Sequence, residues 1–368
     1  MTSSVLMLAD GLLPMLIGSE CATSLTGLIL LIVAGMVAIT KGGDLFTDSS
    51  VEIAHMTRVP PVIVGATIVS TATSFPEFMV SLTGTLSGAT EFAVGNAIGS
   101  CLCNIGLIIG VCAVVRGVLS RHDGKASGIA ADRSMLKGPG TFMLVSCGVL
   151  CAFAAVDAGG ATLNGQSTEF GLARWQALLL FIGMFWYLGY SIRRARVARF
   201  ESSLNSDEPL VAPSIKNIVL HTLLFVLATT IVMIGSRLLV CNGEQLALRM
   251  GVPKLVLGLT LFALGTSLPE LAISLIAVLK GHEALGIGNI VGSNVMNICW
   301  VLASCALVRP LPIALQTVIV DLPVTLLLTV LLLWLPWKTE RISTKAGIVM
   351  LSVYAVHLVG ITLAGVRS

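Results

Sequence analysis

The sequence of 368 residues repeats part of itself, because residues 64–110 resemble residues 257–303 at a constant offset of 193. Sixteen positions are identical over this stretch, and the alignment needs no gap. Most identities are Gly, Thr, Ser, Pro, Glu and Asn, not the Leu, Ile and Val that any two apolar helices share. The chain therefore contains two copies of one structural unit, which the fold is expected to place in equivalent positions.

Both copies lie in long apolar segments. The chain is 55% hydrophobic and only 11% charged, whereas a soluble domain carries about 25% charged residues. This composition excludes both a soluble enzyme and a disordered chain. A helix needs about 20 apolar residues to cross a membrane. We predict ten such spans, at residues 23–40, 61–86, 92–118, 139–156, 172–192, 215–236, 252–279, 284–308, 313–335 and 346–365.

The polar segments between these spans predict the topology. Each half holds five spans, an odd number, so the second half enters the membrane with opposite polarity, as in the inverted repeats of secondary transporters. With the N-terminus outside, 16 of the 22 Lys and Arg residues fall inside, which predicts that both termini lie outside. The most polar stretch predicts a cytoplasmic linker at 196–213 between an N-terminal half, 1–195, and a C-terminal half, 214–368.

Glu77 and Glu270 occupy equivalent positions in the two copies, and both fall well inside apolar segments. A carboxylate at the centre of a bilayer costs at least about 2.5–3.5 kcal/mol on insertion scales. No Lys or Arg lies deep in another predicted span to compensate it. The matched pair therefore predicts a bound cation, with the two glutamates facing each other near the bilayer centre.

A proline immediately precedes each glutamate. Pro76 and Pro269 lack a backbone donor and free a carbonyl about one turn earlier, near Thr73 and Thr266. Broken helices at membrane depth are tolerated where they line a hydrated cavity. The freed carbonyls, the nearby hydroxyls and the carboxylates form a set of oxygen ligands of the kind that Ca²⁺ and Na⁺ prefer.

The second repeated motif is Gly-Asn-x-x-Gly-Ser-x-x-x-Asn. Ser100 and Asn104 lie four residues apart and share one helix face, as do Ser293 and Asn297. The glycines of the motif, also spaced at four, allow close approach of helices. We expect them to bring the Ser/Asn face against the helix that carries the glutamate.

These motifs resemble those of the cation/calcium exchanger superfamily, the sodium/calcium exchangers, in the prokaryotic type that lacks a large regulatory loop. The segment 265–270, Gly-Thr-Ser-Leu-Pro-Glu, and the segment 288–294, Gly-Asn-Ile-Val-Gly-Ser-Asn, carry the more specific copy. The first copy is looser, with Ala72, Phe75 and Cys101 in place of Gly, Leu and Asn.

The resemblance covers both alpha-repeats of that family, here about 60–115 and 253–308. It implies an all-α integral membrane protein of about ten transmembrane helices, arranged as two inverted-topology five-helix repeats with broken helices at the centre. It also implies that the first and sixth spans, about 23–40 and 215–236, slide across this core as a gate.

The resemblance further implies a role for each matching residue. Glu77 and Glu270 would hold Ca²⁺ and share Na⁺, and Thr73 and Thr266 would coordinate Ca²⁺ through their carbonyls. Asn297 departs from the many sodium/calcium exchangers that have Asp there, so the formal charge of the site is −2, with no third carboxylate for proton coupling or K⁺ co-binding. The other implied ligands are Ser74, Ser267, Ser100, Ser293, Asn104 and Asn297.

These features predict a secondary active transporter, not an enzyme, that exchanges Na⁺ for Ca²⁺ by alternating access. Two ionised glutamates in an empty, low-dielectric site are unfavourable, so the unloaded site should not cross the membrane. A Ca²⁺/H⁺ or other cation/H⁺ antiporter on the same fold is the nearest alternative. A cation channel and an intramembrane metalloenzyme are weaker ones, and no His or Asp lies near the glutamates to complete a catalytic metal site.

The remaining features carry less information. Ca²⁺, Na⁺ and the lipid bilayer are the expected partners, with no cofactor, no nucleic acid and no inferable protein partner. The many glycines and the short predicted loops suggest a prokaryotic inner membrane. The nine cysteines lack metal-site spacing and are interpreted as small apolar helix residues. Residues 1–18 have no basic start and predict a short extra segment at the membrane, not a cleaved signal peptide. Asp132 and Asp321 are interpreted as caps of helix N-termini.

Overall fold

The structure is a computed structural model that describes residues 24–122, 128–131, 133–155, 162–163, 166–167, 170–205, 215–250 and 254–367. The segment predicted at residues 1–18, Asp132 and residues 206–213 of the predicted linker lie outside the described residues.

The described residues form eleven helices. In chain order they are α1 Leu25–Thr57, α2 Pro61–Thr73, α3 Phe75–Leu86, α4 Thr90–Leu102 continuing through Cys103–Ile109 and Gly110–His122, α5 Arg133–Ala154, α6 Arg174–Asn205, α7 Ile215–Arg249, α8 Lys254–Leu279, α9 Glu283–Val308, α10 Thr317–Trp334 and α11 Thr344–Arg367.

Among the described residues, eight helices are long and apolar enough to cross a membrane. Helices α2 and α3 meet at an angle of 40° and bring the number to nine if the bent pair counts as one span. The predicted span at 252–279 corresponds to α8, Lys254–Leu279. The prediction of an all-α integral membrane protein is confirmed.

Several helices extend beyond their predicted ends. Helix α1 continues past residue 40 to Thr57, and α7 continues past residue 236 to Arg249. Helix α6 continues to Asn205, so the first part of the predicted linker is helical. Polar residues mark where a chain leaves the apolar core, but they do not end a helix, and Lys and Arg are good helix formers. Helix α1 ends only at Arg58, whose φ of 53° closes it with a left-handed cap.

The first glutamate follows a broken helix, as predicted. Ser74 separates α2 from α3, and Pro76 occupies the first turn of α3, where a missing amide hydrogen is tolerated. In the second half, α8 continues through Pro269, so the predicted break in that half is wrong. A proline inside a helix removes one hydrogen bond, but the bonds on either side of it can continue the helix.

Short antiparallel strand pairs that lie outside the repeated motifs also follow the inverted repeat. Strand β1, Ile129–Ala130, follows the third span of the first half and pairs with β6, Arg341–Ile342, which follows the fourth span of the second half. The reciprocal pair joins β5, Leu311–Pro312, after the third span of the second half, to β4, Gly171–Leu172, after the fourth span of the first. A two-fold rotation that relates the two halves would place one strand pair on the other. The third strand pair joins β2, Thr162–Leu163, to β3, Gln166–Ser167.

Glycines set the closest helix contacts. A Cβ atom on Gly288 of α9 would lie 2.5 Å from the Val62 carbonyl oxygen of α2, and a Cβ on Gly65 would clash with the Leu285 carbonyl. Helices α1 and α7 approach in the same way, since a Cβ on Gly35 would lie 2.8 Å from the Gly235 carbonyl oxygen. Small residues thus let the broken helix press against α9, and let α1 pack along α7.

Two ionic contacts join elements near one end of the bundle. Lys280, between α8 and α9, lies 2.7 Å from Asp48 and 3.5 Å from Asp44 of α1. Glu283, the first residue of α9, is buried and pairs with Arg116 of α4 at 2.5 Å. Polar residues at this end therefore tie the second repeat to both α1 and α4.

Most described cysteines agree with the apolar interpretation. Seven are free thiols, and six of these are buried in the helical core. Cys241 of α7 differs from the prediction because it is disulfide-bonded.

Candidate cation-binding site

The two repeated glutamates meet at the centre of the helix bundle. Glu77 lies in the first turn of α3 and Glu270 lies in α8, and both are fully buried. The two side chains are near enough for the charge of one carboxylate to act on the other. Within the part of the chain that the structure describes, none of the four carboxyl oxygens has a hydrogen-bond partner, and no ion pair includes either glutamate.

Further unpartnered oxygens come from the residues around this pair. A buried polar atom without a partner is costly, and more than nine in ten such atoms in folded proteins are satisfied. Counting the four carboxyl oxygens, eight buried side-chain oxygens of the two repeats have no hydrogen-bond partner among the described residues. This number matches the six to eight oxygens around a bound Ca²⁺. The eight oxygens belong to Ser74, Glu77, Asn104, Ser267, Glu270 and Asn297.

The other predicted site residues contact each other across the two repeats through their hydroxyl groups. The Thr73 and Ser293 hydroxyls lie 3.2 Å apart. The equivalent pair, Thr266 and Ser100, lies at 3.5 Å. All four residues lie at the contact between one repeat's glutamate-bearing segment and the other repeat's Ser/Asn helix.

Two asparagines that the sequence analysis did not assign hold the threonines in place. The Thr73 hydroxyl donates to Asn289 Oδ1 at 3.0 Å, and the Thr266 hydroxyl donates to Asn96 Oδ1 at 3.1 Å. Asn96 and Asn289 are equivalent positions of the repeat. Both asparagines belong to the sixteen identities of the repeat, so the sequence does single them out. The repeat does not show which identical residues bind a ligand and which hold a ligand-binding residue in place.

Serines orient these two asparagines in turn. The Asn289 amide donates to Ser274 Oγ at 3.1 Å. The Asn96 amide donates to Ser81 Oγ at 2.9 Å. Each threonine is therefore held by an asparagine and a serine in series, and the same arrangement occurs twice. Such supporting hydrogen bonds fix the direction in which a ligand group points.

The helices that carry Asn104 and Asn297 depart from regular α geometry at the site. Residues Cys103–Ile109 of α4 and Asn297–Leu302 of α9 form π-helical turns at matched positions of the two repeats. Single π turns inside α-helices occur frequently at functional sites. In this chain they begin within one residue of the two asparagines.

Asp321 does not cap a helix, so that interpretation is wrong. Its carboxylate lies 2.7 Å from Nε2 of His357, and both residues lie inside membrane-spanning helices. The two residues are 36 positions apart and show no joint pattern in the sequence. They line a cavity of about 480 Å³ whose wall also includes Asn96. Asp321 therefore belongs to this cavity, with His357 as its partner, and not to the glutamate pair.

Known proteins show the same organisation. The sodium/calcium exchanger protein family matches residues 27–193 and 220–363. The inner membrane protein YrbG of Escherichia coli is 31% identical over 84% of this chain and 88% of its own length. The sodium/calcium exchanger MaX1 of Methanosarcina acetivorans is 28% identical over 90% of this chain and 97% of its own.

Among solved structures, the sodium-calcium exchanger NCX_Mj superimposes with a TM-score of 0.74 and 26% identity, covering 90% of this chain and 98% of NCX_Mj. The similarity extends over both repeats and therefore includes the helices that carry the paired glutamates. Together with the family match over both halves, it shows that this chain is a cation/Ca²⁺ exchanger and belongs to the sodium/calcium exchanger family.

Proposed function

We propose that this protein exchanges Na⁺ for Ca²⁺ across a membrane by alternating access, and that both ions bind in turn between Glu77 and Glu270. The observation that carries the proposal is a set of eight buried side-chain oxygens without hydrogen-bond partners among the described residues, four of which belong to the neighbouring carboxyl groups of Glu77 and Glu270. Such an arrangement is unfavourable when empty and favourable when a cation fills it.

The charge and chemistry of these oxygens favour Ca²⁺ and Na⁺. Two ionised glutamates give −2, which one Ca²⁺ neutralises. Hard cations take oxygen ligands, and the set offers carboxylate, hydroxyl and amide oxygens. The carbonyls of Thr73 and Thr266 are proposed as further Ca²⁺ ligands, and the hydroxyls of Ser74, Ser267, Ser100 and Ser293 as Na⁺ ligands.

The neutral asparagines favour Na⁺ coupling over proton or K⁺ coupling. Asn104 and Asn297 are both buried and supply no third carboxylate. The named relatives agree with this choice, since MaX1 and NCX_Mj are both described as sodium/calcium exchangers.

Helices α1 and α7 are proposed as the moving gate. They have 33 and 35 residues, longer than the roughly 20 that span a bilayer, and they pack along each other at Gly35 and Gly235. A pair that packs mainly on itself can shift as a unit against the other helices. We further propose a prokaryotic inner membrane as the location, with both termini outside, on the distribution of Lys and Arg.

Transport into proteoliposomes tests the proposal. Vesicles loaded with Na⁺ and diluted into Na⁺-free buffer should accumulate ⁴⁵Ca²⁺, and vesicles with equal Na⁺ on both sides should not. Accumulation driven by an acid interior without Na⁺ would replace the proposal with Ca²⁺/H⁺ antiport. Electrical current carried by Ca²⁺ without any counter-ion would indicate a channel. Protein-free vesicles provide the baseline for each condition.

A further inference from the structure

One pair of equivalent residues breaks the two-fold symmetry of the site. Positions 101 and 294 are related by the repeat, as are positions 104 and 297. Positions 104 and 297 both hold Asn, whereas position 294 holds Asn and position 101 holds Cys. The four residues lie where α4 and α9 cross, and all four are buried.

Asn294 fixes the orientation of Asn104. The Asn104 amide nitrogen donates to Asn294 Oδ1 at 2.9 Å, which leaves the Asn104 amide oxygen free of any protein partner. Asn294 is itself held in place because its amide donates to the Cys101 carbonyl at 3.3 Å. The free oxygen of Asn104 is thus presented by a hydrogen-bonded side chain, which is a preorganised ligand.

Asn297 lacks the equivalent support. By the repeat, its amide nitrogen should donate to a side-chain oxygen at position 101. The Cys101 thiol lies beside Asn297 there, but sulfur offers the amide only a weak contact, and the thiol itself donates to the Asn294 carbonyl at 3.8 Å. Neither amide atom of Asn297 makes a hydrogen bond of ordinary geometry to a described residue. Sulfur is a weak acceptor and cannot replace a carboxamide oxygen.

A small cavity borders the two side chains. It measures about 10 Å³, and both Cys101 and Asn297 line it. That volume is at or below the size that holds one water molecule. A carboxamide at position 101, only slightly larger than the thiol, would have this space to extend into.

We propose that Cys101 is a positioning residue that sets cation affinity through Asn297. Because only the weak sulfur contact of Cys101 orients the Asn297 amide, a bound cation must order it, and ordering one such side chain weakens binding roughly threefold to tenfold. The site consequently holds its cation less tightly than a symmetric site would, which favours release. This inference rests on the proposed function for the identity of the cation.

Cys101→Asn tests the inference. The new carboxamide should accept from the Asn297 amide, as Asn294 accepts from Asn104, and should tighten Ca²⁺ binding to the purified protein about threefold to tenfold. Cys101→Ala removes the thiol without adding an acceptor and is the matched control. In an Asn297→Ala background, Cys101→Asn should have no effect on Ca²⁺ affinity. Unchanged affinity in Cys101→Asn, or tightening that persists without Asn297, would overturn the inference.

A second comparison needs no transported ion. Without cations, Asn297→Leu should raise the melting temperature because it removes an unpartnered buried amide, whereas Asn104→Leu should lower it because it breaks a hydrogen bond to Asn294. Equal shifts for the two variants would contradict the asymmetry. Absence of Ca²⁺ binding in the wild-type protein would instead contradict the proposed function, and the Leu pair would still decide whether Asn297 is unsupported.

Discussion

Glu77→Gln and Glu270→Gln are each expected to reduce Na⁺-driven Ca²⁺ uptake by at least about a hundredfold, which corresponds to roughly 3 kcal/mol. Each variant keeps the size of the side chain and removes one of the two charges that balance Ca²⁺. Because Ca²⁺ affinity depends strongly on the number of charged ligands, one remaining carboxylate should not hold the ion. Initial uptake rates in proteoliposomes measure the effect.

Glu340→Gln is the matched control for these variants. It makes the same chemical change at a partly exposed residue in the connection between α10 and α11, where the Glu340 side chain is 46% exposed and pairs with Arg133. Its uptake should equal that of the wild-type protein. Normal uptake in either Glu77→Gln or Glu270→Gln would mean that the paired carboxylates do not form the transport site.

Arg116→Leu is expected to lower the free energy of unfolding by about 3 kcal/mol. The Arg116–Glu283 pair lies between the two repeats, with side chains that are only 17% and 9% exposed. Removing the arginine leaves a buried carboxylate whose remaining partners are the Ala130 amide at 2.6 Å and Arg341 at 3.9 Å. Denaturant unfolding in detergent micelles measures the loss.

Arg133→Leu separates burial from charge. Arg133 also pairs with a glutamate, Glu340 at 2.6 Å, but these side chains are 63% and 46% exposed. Exposed ion pairs contribute at most about 1 kcal/mol, so this variant should be nearly as stable as the wild-type protein. Equal losses in the two variants would show that the Arg116 pair is not effectively buried.

The centre of the site was predictable because the repeat encodes it directly. Glu77 and Glu270 align at the offset of 193, and a two-fold axis brings aligned residues together. Burial of two carboxylates in apolar helices then requires a compensating cation. No knowledge of helix ends or connections was needed for this step.

Contacts between non-equivalent spans were not predictable from the sequence. The Asp321–His357 pair joins α10 to α11, and each residue alone has an ordinary interpretation as a helix cap or an isolated histidine. Only the packing of the two helices shows that one compensates the other. The supporting role of Asn96 and Asn289 was hidden for a related reason, since identity within the repeat does not separate ligands from the residues behind them.

Helix ends and breaks were the least predictable features. Helix α1 continues well beyond its apolar part because polar residues such as Lys41 and Asp44 remain compatible with helix once it leaves the bilayer. Pro76 follows a break at Ser74, whereas Pro269 does not interrupt α8, although the local sequences are closely similar. The difference must arise from packing around each proline, which a local motif does not contain.

Equilibrium binding of Ca²⁺ to the purified protein tests the central claim most directly. Titration calorimetry in Na⁺-free buffer should show one Ca²⁺ bound per chain, and added Na⁺ should displace it because both ions use the same oxygens between Glu77 and Glu270. Ca²⁺ binding that Na⁺ does not affect, or no Ca²⁺ binding at all, would contradict a shared site and with it the exchange mechanism proposed for this chain.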